Sequence, residues 1–92
     1  MAERTQRVTA VDIRNGRIRV PRDAKSLFPP GRAYVRLIIR GHSMTTRWDP
    51  RFGPDRERSG VLSIGGPSLR DLVQADEVLR ITQTDDGRIM LS

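Results

Sequence analysis

Arginine is the residue type in this sequence with the clearest binding chemistry, since sixteen of the seventeen basic residues are Arg. Its planar guanidinium can bind a phosphate, or the edge of a guanine base, through two parallel hydrogen bonds. Four arginines lie in residues 47–60, beside Trp48, which is the only tryptophan of the chain. This stretch is therefore the first candidate for contact with a negatively charged partner.

The stretch 47–60 also predicts a long loop. Apolar alternation stops at Trp48 and resumes at Val61, and two prolines between them disfavour a buried strand. Loops of about a dozen residues are uncommon in compact domains and are usually functional when they are ordered. We interpret residues 49–60 as a projecting arm that carries arginines to a partner, the alternative being a surface insertion without a binding role.

The net charge of +6 is distributed unevenly along the chain. Residues 1–48 hold eleven basic and three acidic side chains, residues 49–60 hold three of each, and residues 61–92 hold three basic and five acidic. Such an asymmetry within a small domain indicates a positively charged face rather than general solubilising charge. The partner expected for such a face is a polyanion.

Residues suited to catalysis or metal binding are few. His42 is the sole histidine, cysteine is absent, and a zinc site cannot be assembled from that set. The acidic residues of the arm alternate with arginines, so ion pairs with those arginines are the simpler interpretation than a Mg²⁺ site. The sequence therefore predicts a protein that is not an enzyme and that uses no cofactor, metal or small-molecule substrate.

The whole chain, residues 1–92, is expected to form one domain, because 92 residues leave no room for a second core. Residues 1–6 are polar and are expected to be frayed, so the barrel proper is expected at residues 8–91. No stretch approaches the roughly 20 apolar residues of a membrane span. With no cysteine for disulfides, these features favour a cytoplasmic protein that does not contact membranes.

Residues 8–14 and 17–20 alternate between apolar and polar side chains and predict two β-strands. Asn15-Gly16 between them is the strongest short-range signal of a hairpin with a two-residue turn. The resulting register pairs Arg14 with Arg17, and Asp12 with Arg19, on the outer face. The arginine pair is unfavourable in isolation, and a negatively charged partner would relieve it.

A second hairpin is predicted from residues 33–40 and 43–48, joined by a turn at Gly41-His42. Its register places Trp48 opposite Val35, inside the domain, and Arg36 opposite Arg47 on the outer side. Both hairpins would thus present an arginine pair outward. We expect the two pairs to form one polyanion-binding surface.

The rest of the chain predicts short elements of both kinds. They are a helix at 22–28, a strand at 61–64, a helix capped by Ser68, and a hairpin of strands 77–83 and 88–91. Leu69, Leu72 and Val73 form the apolar stripe expected to be buried under the second helix. The sequence therefore predicts a mostly β domain with two short helices, in the order β-β-α-β-β-β-α-β-β.

In its element order, residues 8–91 resemble the DNA-binding pseudobarrels, which include plant transcription-factor domains and the effector or target-recognition domains of restriction endonucleases. The early basic stretch Arg14-Asn15-Gly16-Arg17 and the arm from Arg47-Trp48-Asp49-Pro50-Arg51 to Arg58 carry the likeness. The restriction-endonuclease branch is the more similar one. The resemblance implies a seven-stranded open pseudobarrel that grips double-stranded DNA with two arms in the major groove.

The resemblance also implies which residues contact DNA. By position, the first arm would hold Arg14, Asn15, Arg17 and Arg19, and the second arm would hold Arg47, Asp49, Arg51, Arg56 and Arg58. Arg22 and Arg36 are further candidates, and Arg36 is expected to contact the phosphate backbone from the outer face of its strand. The expected function is sequence-specific binding of duplex DNA by a monomer, in a restriction-modification system with a nuclease domain or subunit as partner.

Two alternatives remain open at this point. Gly16-Arg17-Ile18-Arg19-Val20-Pro21-Arg22 is similar to a segment of the AbrB- and MraZ-like swapped-hairpin transcription regulators, which also bind DNA but as obligate dimers. A different class is a small barrel for protein–protein interaction, with an edge strand that pairs with a peptide and a basic face that binds an acidic partner.

Overall fold

The computed structural model of the protein describes residues 3–51 and 59–92, and for residues 66–68 the backbone alone. Seven strands form one nearly closed, barrel-like sheet: β1 (Glu3–Arg4), β2 (Arg17–Val20), β3 (Ala33–Ile39), β4 (His42–Asp49), β5 (Gly60–Ser63), β6 (Arg80–Gln83) and β7 (Ile89–Leu91). Three short helices accompany them: α1 (Ala10–Asn15), a 3₁₀ helix (Arg22–Leu27) and α2 (Gly66–Leu72). The predicted fold class, a mostly β pseudobarrel with seven strands, is confirmed.

The order of strands across the sheet is β1-β6-β7-β3-β4-β5-β2. Only the β3–β7 pair is parallel among the described strands. Residues 5–6 bring the two edges of the sheet together, because the Thr5 amide donates to the Leu79 carbonyl at 2.8 Å and the Gln6 amide donates to the Arg19 carbonyl at 3.0 Å. The N-terminal segment expected to be frayed therefore contains a strand and a closing contact.

Trp48 is the largest buried side chain of the barrel interior, with 1% of its surface exposed. Its ring stacks on Phe28 with a centroid distance of 4.3 Å, and its indole N–H donates to the Pro29 carbonyl at 2.8 Å. A Cβ atom at Gly60 would lie only 2.1 Å from the indole, so position 60 requires glycine. The prediction that Trp48 belongs to the core is confirmed, but its partners across the sheet are Ala33 and Leu62 rather than Val35.

The first predicted hairpin is wrong, because residues 10–15 form helix α1 instead of a strand. The Thr9 hydroxyl accepts from the Asp12 amide and the Asp12 carboxylate accepts from the Thr9 amide, a capping box that satisfies exposed N–H groups of the first turn. Gly16, with φ of 68°, ends the helix in the left-handed conformation. Asn15-Gly16 is thus a helix terminus, and β2 pairs with β5.

The second predicted hairpin exists, but its register is shifted by two residues. The turn is formed by Arg40 and Gly41, with φ of 49° and 87°, rather than by Gly41 and His42. Consequently Arg47 lies opposite Tyr34 and Arg36 opposite Thr45, so the predicted Arg36–Arg47 pair is wrong. A shift of two preserves the faces of both strands, which is why the inward residues were correctly predicted.

The last third of the chain is close to the prediction. Helix α2 begins at Gly66 after a Gly65 N-cap, so the predicted cap at Ser68 is wrong, but Leu69 and Val73 are buried as expected. The predicted strand 77–83 is regular only in β6, which pairs with β7 in the expected hairpin. Among the described residues, no helix has the length and apolar character needed to cross a membrane.

Candidate nucleic-acid interface

The outer surface of β2, β5, β4 and β3 carries the candidate site. One residue from each strand lies in a single row across these neighbouring strands: Arg17, Ser63, Arg47 and Tyr34. The sequence neighbours of this row, Ile18, Leu62 and Trp48, lie on the opposite face of the sheet and are almost completely buried. Because side chains alternate between the two faces of a strand, the row faces away from the core.

A second row lies two residues further along the same strands and contains Arg19, Val61 and Asp49. Asp49 is the negative member of this row, and its carboxylate lies 3.5 Å from the Arg32 guanidinium. It also accepts a hydrogen bond from the Arg51 amide at 2.9 Å. Asp49 therefore fixes the start of the loop after β4.

Arg51 serves the same loop, since its Nε donates to the Ser59 carbonyl at 3.0 Å and its φ is 52°. This bond joins the two ends of the predicted arm next to β4 and β5. The rest of the arm, residues 52–58 with Arg56 and Arg58, lies outside the described residues. The predicted roles of those two arginines remain predictions.

Asp12 holds both arginines of β2. Its Oδ1 accepts from the Arg17 Nε at 3.1 Å, and its Oδ2 accepts from the Arg19 Nε at 3.1 Å. Only 2% of the Asp12 side chain is exposed, whereas the two arginine side chains are 37% and 31% exposed. The carboxylate is thus a buried anchor beneath two partly exposed guanidinium groups, which we name the Asp12 cluster.

Two opposing effects determine the pKa of Asp12. Burial raises the pKa, but the hydrogen bonds from the Thr9 backbone, from Arg17 and Arg19, and from the Thr9 hydroxyl together lower it below 3.8. The carboxylate is therefore ionised at neutral pH. One negative charge faces two positive charges, and the Asp12 cluster keeps a net charge of +1.

Tyr34 is the most exposed large apolar or aromatic side chain described, at 73%. It lines a shallow surface depression together with Arg32, Arg47, Asp49 and Ser63, directly above Trp48 in the core. An aromatic ring beside two guanidinium groups can contact a sugar, a base or a phosphate group. Tyr34, Arg32 and Ser63 were missed by the sequence analysis, although the correct β3–β4 register would have placed Tyr34 beside Arg47.

The other predicted site residues lie around this surface. Arg14 and Asn15 are exposed at the end of α1, next to Gly16, whose carbonyl accepts from the Ile64 and Gly65 amides at the end of β5. Arg22 is exposed in the 3₁₀ helix. Arg36 lies on the outer side of β3 and donates to the Asp86 carbonyl at 3.2 Å. Of the predicted site residues, the two rows therefore contain Arg17, Arg19, Arg47 and Asp49. Arg14, Asn15, Arg22 and Arg36 lie around them.

His42 begins β4, opposite Ile39, and is exposed. Within residues 3–51 and 59–92, no group of three or more His, Asp or Glu side chains is arranged to hold a metal ion. No protein-family model matches the chain, and no curated protein sequence matches it either. The arginine-bearing surface is therefore the feature from which a function can be inferred.

Proposed function

We propose that the protein is a duplex-DNA binding module that contacts DNA through the outer surface of β2, β5, β4 and β3. The observation that carries the proposal is the row of Arg17, Ser63, Arg47 and Tyr34 across four neighbouring strands. Arg17 and Arg47 are separated by one strand, which corresponds to about 10 Å between their backbones. That distance is comparable with the roughly 12 Å width of the major groove of B-DNA.

The charge of this surface supports the same function. Its arginines are Arg17, Arg19, Arg32, Arg36 and Arg47, and the carboxylates that contact them are Asp12 and Asp49. These groups sum to +3 within the described part of the chain. Duplex DNA carries about one negative charge per 1.7 Å of its axis, so such a surface binds it with a gain from counterion release.

Two connections flank the surface and are the arms in this proposal. The loop after β4 supplies one, with Asp49 and Arg51 at its base. The α1–β2 connection, with Arg14 and Asn15, takes the position that the sequence analysis gave to a hairpin. Side chains on the arms, and Arg17 at the start of β2, read base edges, whereas Arg36 and Arg47 contact phosphates.

The finer assignment follows the resemblance to restriction-endonuclease target-recognition domains. The protein acts as a monomer, because two arms of a single chain grip a duplex without a twofold partner. Its expected location is the cytoplasm. A nuclease domain or subunit supplies the catalysis. A light-scattering mass of one chain in the absence of DNA is the expected result, and a tight dimer would favour the swapped-hairpin alternative.

The decisive experiment is selection of bound duplexes from a pool with a randomised core. The wild type is expected to enrich one short motif, and Arg47→Ala is expected to weaken binding of that motif and of a scrambled duplex alike. Arg80→Ala is the matched control, because Arg80 is an exposed arginine on β6, away from β4 and β5 in the sheet. Retention of an acidic protein with no enrichment of any duplex would contradict the proposal.

A further inference from the structure

The two arginines of the Asp12 cluster differ in which edge of the guanidinium is already bonded. Arg17 uses its Nε alone, in the 3.1 Å bond to Asp12 Oδ1. Its two Nη nitrogens form no hydrogen bond with any residue that the structure describes, and 37% of the side chain is exposed. Within the described part of the chain, the Nη end of the Arg17 guanidinium therefore has no hydrogen-bond acceptor.

Arg19 has a different bonding pattern. Its Nε donates to Asp12 Oδ2 at 3.1 Å, and its Nη2 lies 3.1 Å from the same oxygen and donates to the Arg7 carbonyl at 3.1 Å. The Nε–Nη2 edge is thus bonded within the protein. Nη1 is the remaining nitrogen, and its two N–H groups have no acceptor among the described residues.

Asp12 can orient these arginines because it is itself fixed. It belongs to α1, its carboxylate accepts from the Thr9 amide at 3.0 Å, and its own amide donates to the Thr9 hydroxyl at 3.0 Å. Free arginine side chains lose considerable rotamer freedom when they bind. A side chain that is already held in position in the unbound protein avoids part of that loss and binds more selectively.

We propose that Asp12 is the positioning residue of the DNA-contacting surface: it holds Arg17 so that its open Nη fork reads a guanine, and it confines Arg19 to a single phosphate contact. This inference rests on the proposed function. Guanine presents two acceptors, O6 and N7, in the major groove, and an arginine fork matches both at once. A phosphate needs only one donated hydrogen bond to be contacted, which suits the remaining Nη1 of Arg19.

The positioning can be tested without DNA. In the free protein, the ¹H–¹⁵N spectrum of the arginine Nε–H groups is expected to show slowly exchanging signals from Arg17 and Arg19 at neutral pH. Asp12→Asn should accelerate the exchange of both. Asp85→Asn is the control, because it removes the same charge from an exposed carboxylate that forms no ion pair with a described residue. Unchanged exchange in folded Asp12→Asn would overturn the positioning role.

The different roles of Arg17 and Arg19 are tested by measuring binding to two duplexes: the one that the wild type enriches from the randomised pool and a scrambled one. Arg17→Ala and Arg17→Lys are expected to reduce the preference for one G·C pair about tenfold, since a lysine keeps the charge but lacks the fork. Arg19→Ala should weaken both duplexes by the same factor. Equal losses on both duplexes for Arg17→Ala would overturn the assignment of Arg17.

The effect of Asp12→Asn on the preference for the G·C pair is then measured both in the wild-type background and in the Arg17→Ala background. If Asp12 acts through Arg17, the variant lowers the preference for the G·C pair in the wild type and changes it little when Arg17 is already absent. The inference would be overturned if Asp12→Asn lowered the G·C preference equally in both backgrounds. It would also be overturned if Asp12→Asn left that preference unchanged in the wild type. A wild-type pool without any enriched motif would instead contradict the proposed function itself, so the two failures are distinguishable.

Discussion

The Asp12 cluster and the Arg40–Glu77 pair join the same chemical groups in opposite ways. Arg40 directs both Nη nitrogens at Glu77, with distances of 3.0 and 2.8 Å, and its Nη1 also donates to the Leu72 carbonyl at 3.0 Å. Arg17 instead gives Asp12 its Nε and keeps both Nη nitrogens free of described partners. In one pair the fork is occupied by the protein, and in the other it is open.

Under the proposed function, this difference in bonding distinguishes a structural arginine, Arg40, from a recognition arginine, Arg17. The two side chains are equally exposed, at 38% for Arg40 and 37% for Arg17, so exposure alone does not separate them. Arg40 connects the β3–β4 turn to the segment before β6, and its carboxylate partner is itself partly exposed. The buried Asp12 binds the Nε of Arg17 and leaves both Nη nitrogens without an acceptor among the described residues.

Asp12→Ala should give the largest effect on stability. It removes one partner of a buried ion pair with two arginines and breaks a capping box, and we expect the free energy of unfolding to fall by about 3 kcal/mol. Glu77→Ala breaks a partly exposed pair and should cost about 1 kcal/mol. Urea unfolding at neutral pH measures both, and equal losses would show that burial does not distinguish the two clusters.

Arg47→Ala extends the comparison to an arginine whose fork and Nε form no hydrogen bond with the described residues. An arginine in the row of Arg17, Ser63, Arg47 and Tyr34 that is not held by other side chains should contact phosphate without selecting a sequence. We expect its loss to weaken every duplex several-fold and to reduce the slope of log affinity against log salt by about one. Binding isotherms over a range of salt concentrations check this, and a loss confined to the preferred duplex would assign Arg47 to base reading.

Lowering the pH should destabilise the fold through both clusters. Over the pH range in which unfolding can be measured, the loss of stability should be smaller than that caused by Asp12→Ala. The bond from Arg40, followed by that from the Gln74 amide, lowers the pKa of Glu77 below 4.5, and the pKa of Asp12 is below 3.8. A carboxylate with a lowered pKa stabilises the fold fully above its unfolded pKa and loses that contribution as pH falls through its folded pKa.

Unfolding midpoints measured from pH 5 downward should therefore decline in the wild type. The decline should be shallower in Asp12→Asn and in Glu77→Gln, each of which starts from a lower stability at neutral pH. Asp86 remains in both variants as a common background, with its pKa lowered to about 2 by bonds from the Thr84 hydroxyl and from Arg88. Parallel curves for wild type and variants would contradict the linkage.

Arg40→Ala should have the smallest effect on DNA binding. Its fork is occupied by Glu77, so the variant is expected to bind the preferred and the scrambled duplexes as the wild type does. Only the stability should change, by at most about 1 kcal/mol. A loss of DNA affinity as large as that of Arg47→Ala would show that an internally paired arginine also takes part in recognition.

Local signals predicted much of the fold. Alternating apolar residues identified β3 and β4 and placed Trp48 inside, and the predicted hairpin of strands 77–83 and 88–91 contains β6 and β7. The helical stripe of Leu69 and Val73 was also found. In each case the residues that determine the element are close together in the sequence.

The predictions that were wrong concern signals with two meanings. Asn15-Gly16 fits a hairpin turn and also a helix C-terminus, and the choice depends on Thr9 and Asp12, whose capping box was not recognised. The turn after β3 uses a non-glycine residue, Arg40, at positive φ, which propensity disfavours.

The candidate site was predicted by residue type but not by arrangement. Arg17, Arg19 and Arg47 were named by position from the resemblance, yet their common surface depends on the pairing of β2 with β5 and of β5 with β4. Strands β2 and β5 are about forty residues apart in the sequence, and no local rule relates them. The pairing of Asp12 with Arg19 was predicted, but on a hairpin; Asp12 instead binds Arg17 and Arg19 from helix α1.

The bonds between Thr5 and Leu79 determine when the barrel can close during synthesis of the chain. The Thr5 amide donates to Leu79, the Leu79 amide donates to the Thr5 hydroxyl at 3.0 Å, and 74 residues separate the two. During synthesis the β3–β4 hairpin can form as soon as it leaves the ribosome, whereas Thr5 must wait for Leu79. The barrel therefore closes after most of the chain has emerged, and until then its first strand has no β6 with which to pair.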